Sequence, residues 1–428
     1  MILYMRKETA TVLKRLGIKE LRPWQREAME AVYRGNDTFV RCQTGGGKSL
    51  IYQLPAAVEQ GRGITLVLSP TRTLQVDQVS KLCDKGIPAV LINSDLAKSE
   101  RRNILAHLGD YALLYAAPEQ LERDDFTEAL RRIGLLRVVV DEAHILFDSE
   151  LGFRKAYGRI RQFIESLTDR PQIMALTATA TGVMQKRICE ALGMCHPTVF
   201  TFPVRRENLR LTIKEVSGKC EGSVPYPEAM LKMMEGYLYD WGSKNGSAII
   251  YCTKRKQVSF VKHWLKCRGW DCTSITGKTK AENRKKRQKA FLNGKIPIMV
   301  ATNAFGLGID KPDVRLVINM GLPLGLDEWV QEFGRAGRDG RKSDCVLLYT
   351  PKDVKGCRKI IGDDDNNSPK KEEDVKRKLK SLYALDELVH DPKCIWKQIE
   401  AYYGEKAGSS CGSCSHCISK KAKQGKKF

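Results

Sequence analysis

The sequence contains no long apolar run and has fewer acidic than basic side chains. No apolar stretch is long enough to cross a bilayer as a helix, which excludes proteins anchored by such helices. The first ten residues, MILYMRKETA, lack the order of a secretory signal peptide. We therefore expect an intracellular protein, in the cytoplasm or nucleoid or in a nucleus, without a membrane partner. The hydrophobic fraction, 42%, is ordinary and excludes a disordered chain.

The shortage of acidic residues leaves a large positive charge. Asp and Glu number 50 against 73 Lys and Arg, so the formal net charge is +23. Such an excess favours a polyanionic partner, with nucleic acid first and an anionic membrane surface second. A solvated, lysine-rich surface would give the same count. At 428 residues the chain is too long for one compact core, so two or three domains are expected.

The cysteines fall into two groups. Ten of the 14 are scattered singly, as is typical of small buried side chains in a reducing compartment. The other four are Cys394, Cys411, Cys414 and Cys417. Their spacing predicts one tetrahedral Zn²⁺ site. Iron is an alternative, because CxxCxxC also forms part of iron–sulfur runs, and unpaired reactive thiols are a third.

Short apolar runs alternate with helical patterns twice along the chain. The first series lies between residues 39 and 179 and contains TFVRC, ITLVLSP, AVLINS, ALLYAA, RVVVDE and QIMALTAT. The second begins at 247 with SAIIYCT and ends at 350 with CVLLYT, and the pattern beyond it is helical. Near-continuous apolar runs of this length predict strands covered on both faces, and hence α/β units with parallel sheets.

A glycine-rich turn follows the first of these strands. Residues 38–53, TFVRCQTGGGKSLIYQ, predict a strand, a tight loop and a helix. The loop glycines are Gly45, Gly46 and Gly47. Backbone N–H groups at a helix N-terminus bind phosphate, and glycines let the backbone approach it. Lys48 can then reach the β- and γ-phosphates, and the Ser49 hydroxyl can ligate Mg²⁺. Cys42 stands where the full motif has its first glycine, so a flexible glycine turn is the alternative.

Two carboxylates end another predicted strand. In RVVVDEAH, the apolar run leads directly to Asp141 and Glu142. Ligands gather at the carboxyl ends of parallel strands, where the glycine loop would also emerge. Asp141 could hold Mg²⁺ through its water shell, and Glu142 could orient and deprotonate an attacking water. A solvated acidic turn at a strand end is the alternative.

Further polar residues are candidates for nucleotide or nucleic-acid contacts. Gln25 offers an amide donor and acceptor that suit the edge of adenine, although a surface glutamine is the simpler interpretation. Thr71 and Arg72 follow a strand, where hydroxyl residues bond phosphate oxygens without reading bases. Arg335 and Arg338 lie three apart, so on a helix they would share a face and suit a triphosphate; a surface arginine pair is the alternative.

The segment 277–294, GKTKAENRKKRQKAFLNG, is a strongly basic helix candidate. It would serve either as a phosphate-backbone contact or as a solvated helix face.

Taken together, these stretches resemble the RecQ family of superfamily 2 helicases, in collinear order over most of residues 13–417. The combination of TGGGKS, AFGLGIDKP, GRAGRDG and the four cysteines is much more specific than a glycine loop or a DEAH box alone. The stretches that carry the resemblance are LRPWQ (21–25), QTGGGKSLIYQLP (43–55), VLSPTRTL (67–74), AAPEQL (116–121), VVDEAH (139–144), ALTATAT (175–181), RRENLR (205–210), IIYCTKR (249–255), VATNAFGLGIDKPDVR (300–315) and QEFGRAGRDGR (331–341).

The resemblance implies two RecA-like parallel-sheet domains with ATP in the cleft between them, and a small helical zinc-binding domain. We place the domains at 1–203, 204–350 and 351–417, followed by a basic tail at 418–428. The implied activity is 3′-to-5′ DNA unwinding driven by ATP hydrolysis, in DNA repair or recombination, with Mg²⁺ and Zn²⁺ as metals. The expected partner is single-stranded DNA or a duplex with a single-stranded tail, bound by a monomer; RNA is the alternative track.

The resemblance also implies roles for individual residues. Arg338 is the expected arginine finger, with Arg335 beside it at the phosphates. The implied nucleotide-binding positions, besides the glycine loop, are Arg22, Gln25, Thr44, Gly308 and Asp310. The implied nucleic-acid contacts are Thr71, Arg72, Phe153, Arg154, Thr253 and Thr302.

Three departures from the family pattern bear on function. Ile18 stands where the family stacks an aromatic ring on adenine. Ser149 and Leu151 replace a tryptophan and a histidine in the loop that couples single-strand binding to hydrolysis, where Phe147 would supply part of the missing aromatic surface. The winged-helix and later domains of many relatives do not follow the cysteines. Two rival functions stay open: an ATP-driven translocase that does not separate strands, and a nucleic-acid-binding module switched by ATP.

Overall fold

The chain folds as two compact units, Met1–Phe202 and Pro203–Phe428. Each unit is built on one parallel β-sheet whose strands alternate with helices, which confirms the predicted α/β class. The computed structural model describes residues 7–43, 45–70, 72–147, 154–218, 220, 222, 224–242, 246–306, 311–362, 372–406 and 408–425.

The sheet of the first unit has seven strands in the order β3-β4-β2-β5-β6-β1-β7, and every pair is parallel. The strands are β1 (Thr38–Arg41), β2 (Ile64–Leu68), β3 (Ala89–Ile92), β4 (Leu113–Ala116), β5 (Leu135–Val140), β6 (Gln172–Thr177) and β7 (Thr198–Thr201). Strands β1, β2, β4 and β6 are buried along their whole length, since helices cover both faces of the sheet.

The helices of the first unit follow the strands in alternation, after two helices that precede β1. They are α1 (Lys7–Leu16), α2 (Pro23–Tyr33), α3 (Leu50–Val58), α4 (Arg72–Cys83), α5 (Lys98–Ala106), α6 (Asp124–Ile133), α7 (Arg154–Glu165) and α8 (Gly182–Ala191). Ile18, at the position where an adenine-stacking ring was expected, packs half-buried against the apolar cluster of this unit.

The sheet of the second unit has six strands in the order β10-β11-β9-β12-β13-β8, again all parallel. The strands are β8 (Leu209–Glu215), β9 (Ser247–Cys252), β10 (Cys272–Ile275), β11 (Ile298–Ala301), β12 (Val314–Met320) and β13 (Ser343–Tyr349). The helices are α9 (Glu228–Gly242), α10 (Arg255–Lys266), α11 (Ala281–Leu292), α12 (Leu326–Phe333), α13 (Asp353–Gly362), α14 (Glu372–His390), α15 (Ile395–Tyr402) and α16 (Ser415–Gly425). In the described part of the chain, no helix combines the length and apolar character needed to cross a bilayer.

Two strands, β7 and β8, are absent from the sequence prediction. Both lie at a sheet edge, and their residues alternate between covered and exposed positions. An edge strand that is half-exposed needs no continuous apolar run, so neither strand produced the signal that identified the others.

The C-terminal helices pack on the second sheet and share its hydrophobic core. Trp396 of α15 lies edge-on to Phe333 of α12, with ring centroids 5.7 Å apart. The same cluster of buried residues continues from β13 through α14 to the four cysteines. The helices after residue 350 and the second sheet therefore share one hydrophobic core.

Asp327, in the first turn of α12, joins three helices through hydroxyl groups. Its carboxylate accepts hydrogen bonds from the hydroxyls of Tyr402 and Tyr403, both at 2.8 Å, and of Ser381 at 2.9 Å. The Asp327 N–H in turn donates to Ser381 Oγ. Helices α14 and α15 are thus fixed to the start of α12.

We expect Asp327→Ala to lower the free energy of unfolding by about 2–3 kcal/mol, because the buried Tyr403 hydroxyl loses a charged acceptor. Urea unfolding followed by tryptophan fluorescence measures this, since five of the six tryptophans lie in the second unit. Glu235→Ala, which removes the partly exposed pair with Arg268, is the control and should cost less than about 1 kcal/mol. Equal losses in the two variants would contradict the role given to Asp327.

Candidate functional site

Three predicted stretches leave adjacent strands at one edge of the first sheet. Strands β5, β6 and β1 are neighbours, and Asp141 follows β5, Thr177 ends β6 and Cys42 follows β1. The pairing places Arg41 opposite Thr177, and the Cys42 N–H donates to the Thr177 carbonyl at 3.0 Å. The carboxylates and the glycine loop therefore meet at the carboxyl edge, as the strand pattern predicts.

The three glycines of the loop meet two steric requirements. Gly45 and Gly47 have φ angles of +77° and +86°, which side-chain-bearing residues rarely adopt. A Cβ on Gly46 would lie 2.3 Å from Cys42 Sγ and 2.9 Å from the Gln43 carbonyl oxygen. Thr44 lies outside the described residues. The loop backbone is therefore as close-packed as a phosphate-binding turn requires.

Lys48 and Ser49 connect the loop to α3. Ser49 is the N-cap residue of that helix, so the loop leads directly into the helix N-terminus, where the Ile51 and Tyr52 N–H groups donate to the Lys48 and Ser49 carbonyls. The Lys48 ammonium donates to the Cys42 carbonyl at 3.0 Å, across the loop. Its charge also acts on Asp141, whose carboxyl pKa it lowers against stronger opposing effects.

Arg22 and Gln25 hold the glycine loop from outside. Arg22 Nη1 donates to the Gly46 carbonyl at 3.0 Å, and Gln25 Nε2 donates to the Gly47 carbonyl at 3.1 Å. Gln25 Oε1 accepts from the Arg22 N–H at 3.0 Å, so the two residues brace each other. The sequence analysis did not predict this contact with the loop, because it considered Gln25 either for the edge of adenine or as a surface glutamine. It leaves Gln25 one N–H and one lone pair for a base.

Asp141 and Glu142 are consecutive carboxylates, and the charge of Glu142 acts on Asp141. Asp141 is 7% exposed, and its burial together with the Glu142 charge raises its pKa to about 7. The Glu142 N–H donates to Asp141 Oδ1 at 3.1 Å, and Glu142 has a φ of +51°, a strained conformation for a residue with a side chain. A buried carboxylate that is followed directly by a second one offers oxygen donors of the kind that fit Mg²⁺.

His144 lies between the Glu142 carboxylate and the end of β6. His144 Nδ1 lies 3.4 Å from Glu142 Oε2 and 3.0 Å from Thr177 Oγ1. The Thr177 hydroxyl donates to the Thr179 carbonyl at 3.1 Å and accepts from the Thr179 N–H at 3.2 Å. Since the hydroxyl proton is used, His144 Nδ1 must carry a proton and donate it. The sequence prediction quoted both stretches but not this link between them.

In the second unit, Thr253 and Thr302 lie at the carboxyl edge of the sheet. They follow β9 and β11, two strands that pair with each other. Thr253 Oγ1 donates to the Leu322 carbonyl at 3.2 Å, and Thr302 is buried. Gly308 and Asp310 lie outside the described residues.

The sequence analysis placed the two arginines of QEFGRAGR on one face if the segment were helical. In the structure they do not lie on a helix. Helix α12 ends at Phe333, and the glycine at position 334 caps it, so both arginines lie in the turn beyond. Arg335 is buried and donates to the Gly306 carbonyl, and a Cβ on Gly306 would lie 2.4 Å from its Nη2. Arg338 is half-exposed. Arg335 thus holds a neighbouring loop, while Arg338 keeps access to solvent.

The remaining predicted nucleic-acid contacts are only partly described. Arg72 begins α4 and pairs with Asp95. Arg154 begins α7, whereas Thr71, Phe153 and the departures Ser149 and Leu151 lie outside the described residues. Phe147 is half-buried, and the Arg187 guanidinium lies over its ring at 4.8 Å from the centroid. Its face is therefore engaged by a cation within the unit.

The four C-terminal cysteines converge. Their sulfurs all lie within 4.8 Å of one another, and Cys411 and Cys417 are 3.9 Å apart. Four sulfurs at the Zn–S bond length of about 2.3 Å would be about 3.8 Å apart in a tetrahedron. The Cys411 N–H donates to Cys394 Sγ and the Cys414 N–H to Cys411 Sγ, each at 3.3 Å. Such donors favour thiolates, so the residues fit a divalent metal.

Three family models match the chain in sequence order. The DEAD/DEAH box helicase model matches residues 22–187, and the helicase conserved C-terminal domain model matches 228–340. The RecQ zinc-binding model matches 351–418, which contains all four cysteines.

Solved helicase structures share the fold. The helicase Lhr of Mycobacterium smegmatis, bound to single-stranded DNA and AMP-PNP, gives a TM-score of 0.67 at 21% identity, over 93% of this chain and 55% of that one. Dbp5 of Saccharomyces cerevisiae, bound to RNA and ADP BeF3, gives 0.63 at 18% identity, over 88% and 98%. The two parallel-sheet units are therefore RecA-like domains.

Curated relatives are more similar in sequence. The chain is 35% identical to the ATP-dependent DNA helicase RecQ of Bacillus subtilis over 95% of its own length, but it spans only 66% of that relative. It is 35% identical to RecQ of Synechocystis, covering 81% of this chain and 71% of the relative. It is 32% identical to the probable ATP-dependent DNA helicase RecS of B. subtilis, covering 83% and 70%. Identity at this level over most of the last two relatives shows that the chain belongs to the RecQ family of helicases.

Proposed function

We propose that this protein is an ATP-dependent DNA helicase that moves 3′ to 5′ along single-stranded DNA and separates duplex strands. The observation that carries the proposal is the chain of contacts beside the glycine loop in which His144 Nδ1 lies 3.4 Å from Glu142 Oε2 and is hydrogen-bonded to Thr177 Oγ1. It joins a catalytic carboxylate to the end of the adjacent strand, the kind of connection that coupling of hydrolysis to nucleic-acid binding needs.

The residues at the first sheet edge divide the work of hydrolysis. The loop N–H groups and Lys48 bind the β- and γ-phosphates of ATP. Ser49 and Asp141 hold Mg²⁺, which when bound neutralises charge on the phosphate oxygens. Glu142 orients the attacking water and accepts its proton. His144 fixes the Glu142 carboxylate, since its Nδ1–H is shared between that group and Thr177.

Of the two arginines in the second unit, we assign Arg338 the role of arginine finger. Arg335 is buried and occupied with the Gly306 carbonyl, so a structural role suits it better. Arg338 is half-exposed at the same turn, and its forked guanidinium has the geometry that suits a triphosphate.

The cysteine cluster is proposed to hold Zn²⁺ as a structural metal. The tetrahedral spacing of the sulfurs and the absence of a fifth ligand among the described residues nearby support a closed site. Because the cluster belongs to the core of the second unit, the metal would stabilise the unit that carries Arg338.

DNA is proposed as the track, and the cell interior, in DNA repair or recombination, as the setting. The net charge of +23 suits a polyanion, and the relatives are named as DNA helicases. A monomer with no membrane partner is the proposed working form.

The decisive experiment measures ATP hydrolysis with and without single-stranded DNA, beside unwinding of duplexes with a 3′ or a 5′ tail. Stimulated hydrolysis and unwinding of the 3′-tailed duplex are expected. Stimulated hydrolysis without strand separation would identify a translocase, and hydrolysis indifferent to DNA but stimulated by RNA would change the track. No hydrolysis at all would leave a binding module and refute the proposal.

Lys48→Ala should reduce ATP turnover to background, because it removes the cation that contacts the transferred phosphate. A steady-state phosphate-release assay measures this. Lys81→Ala, on the exposed face of α4, is the matched control and should keep wild-type turnover. Undiminished turnover in Lys48→Ala would sink the assignment.

Gly46→Ala should weaken binding of a fluorescent ATP analogue roughly tenfold or more, since its Cβ displaces the loop on which phosphate contact depends. Adding Cys42→Ala removes one of the two close contacts and should restore part of the affinity. Gly236→Ala, where a Cβ meets nothing within 4 Å, is the control. If Gly46→Ala binds normally, the loop does not hold the phosphates.

Cys411→Ser should lose one equivalent of zinc, measured by elemental analysis of the purified protein, and should lower the thermal midpoint because metal binding energy is folding energy. Cys83→Ser, at an exposed cysteine outside the cluster, should keep the metal. Unchanged zinc in Cys411→Ser would refute the four-cysteine site, and iron in the wild-type protein would replace zinc as the metal.

A further inference from the structure

A polar groove opens beside β10, the edge strand of the second sheet. It includes Thr276, which follows that strand, and the Thr302 N–H donates to the neighbouring Ile275 carbonyl at 3.4 Å. The groove has a volume of about 450 Å³ and lies between α10, β10 and α11. The side chains that line it are Ser259, Lys262, His263, Lys266, Ser274, Thr276, Thr279 and Arg287.

The lining is cationic and rich in hydrogen-bond donors. Lys262 and Lys266 are one helical turn apart on α10, and Arg287 faces them from α11. None of the eight lining residues is acidic. Among the described residues, none of these three cations forms an ion pair with a carboxylate. The groove therefore carries a net positive charge, which attracts an anion.

The walls of the groove are fixed by hydrogen bonds to the backbone. Arg287 Nη1 donates to the Ser274 carbonyl at 2.8 Å, and Arg284 Nη2 donates to the Thr276 carbonyl at 3.1 Å. The Thr276 N–H donates to Thr279 Oγ1 at 2.9 Å. The hydroxyls and the guanidinium are therefore held in place before any ligand arrives.

The lining also indicates what kind of anion it takes. Lysine, arginine, serine and threonine side chains are the groups that contact phosphates without reading sequence. No Phe, Tyr or Trp lines the groove, and its one ring, the imidazole of His263, contacts Cys267 Sγ at 3.5 Å. Proteins that hold single strands stack successive bases on several aromatic rings. A partner whose phosphates are exposed and whose bases are stacked inside fits these side chains best.

We propose that this groove binds the sugar–phosphate backbone of duplex DNA. The inference rests on the proposed helicase function, because it assigns a contact to the part of the substrate that is still paired. For segment 277–294, the sequence left open a phosphate-backbone contact or a solvated helix face, and the proposal favours the first for part of it. That segment supplies the groove with Thr279 and Arg287, while the decisive lysines come from α10, which the sequence did not single out.

A simpler role for these charges would be to protect the edge strand β10 from pairing with other chains. Protection requires charge along the edge but no concavity. It would be served equally by the exposed lysines of α11, such as Lys285 and Lys289, which do not line the groove. The two explanations therefore differ in which lysines affect DNA binding.

The test compares two double variants that remove the same charge from neighbouring helices. Lys262→Ala with Lys266→Ala empties one wall of the groove, and Lys285→Ala with Lys289→Ala is the control. Fluorescence anisotropy with a short blunt duplex, at several salt concentrations, measures affinity. The groove variant should bind roughly tenfold more weakly, with a salt dependence of log K reduced by about 2, and the control should match wild type. Lys262→Arg with Lys266→Arg should restore binding.

Single-strand binding and hydrolysis are measured on the same proteins. ATP hydrolysis stimulated by single-stranded DNA should be unchanged in the groove variant. Equal loss of duplex affinity in both double variants, or a loss confined to single-stranded DNA, would overturn the groove assignment. If wild-type hydrolysis does not respond to single-stranded DNA, the helicase proposal fails, while duplex titration still decides the groove.

Discussion

Parallel pairing of β5, β6 and β1 is the constraint on which the rest of the site depends. Three neighbouring strands that run in the same direction end at the same edge of the sheet. The segments that follow them therefore all begin at that carboxyl edge. The register puts Asp141 and Cys42 on either side of Thr177. The position of the carboxylate pair beside the glycine loop, and of His144 beside Thr177, follows from that order of strands.

Most of the fold was predictable because buried strands are written in continuous apolar residues. Of the thirteen strands in the described residues, eleven were predicted from their continuous apolar runs. Strands β7 and β8 were missed because each is half-exposed at a sheet edge. The membership of the site was also predictable, since strand ends converge. Its internal contacts were not: nothing in LRPWQ shows that Gln25 reaches Gly47, which lies 22 residues further on. Nor does QEFGRAGR show that the helix stops before its arginines.

The second unit illustrates how a short helix can join distant parts of one core. Helix α12 has eight residues; its first turn is held by Asp327 against α14 and α15, and the arginine turn follows its last residue. The rings of Trp329, Phe333 and Trp396 pack edge to face between these ends. The cluster of four cysteines thus belongs to the same packed core as the helix that precedes the arginine turn, although it lies outside both sheets.

The position of β8 has a consequence for synthesis of the chain. This strand pairs with β13, and its Ile213 N–H donates to Ser415, 202 residues further along, while the Val204 N–H donates to Glu405. During synthesis, β8 leaves the ribosome long before these partners do. Its edge stays unpaired until β13 has been made, and the contacts of Ile213 and Val204 form only after the C-terminal helices have emerged. The first unit, which closes on itself by Phe202, can complete its sheet meanwhile. The second unit can complete its sheet only after β13 has been made, and its core only after the segment with the four cysteines.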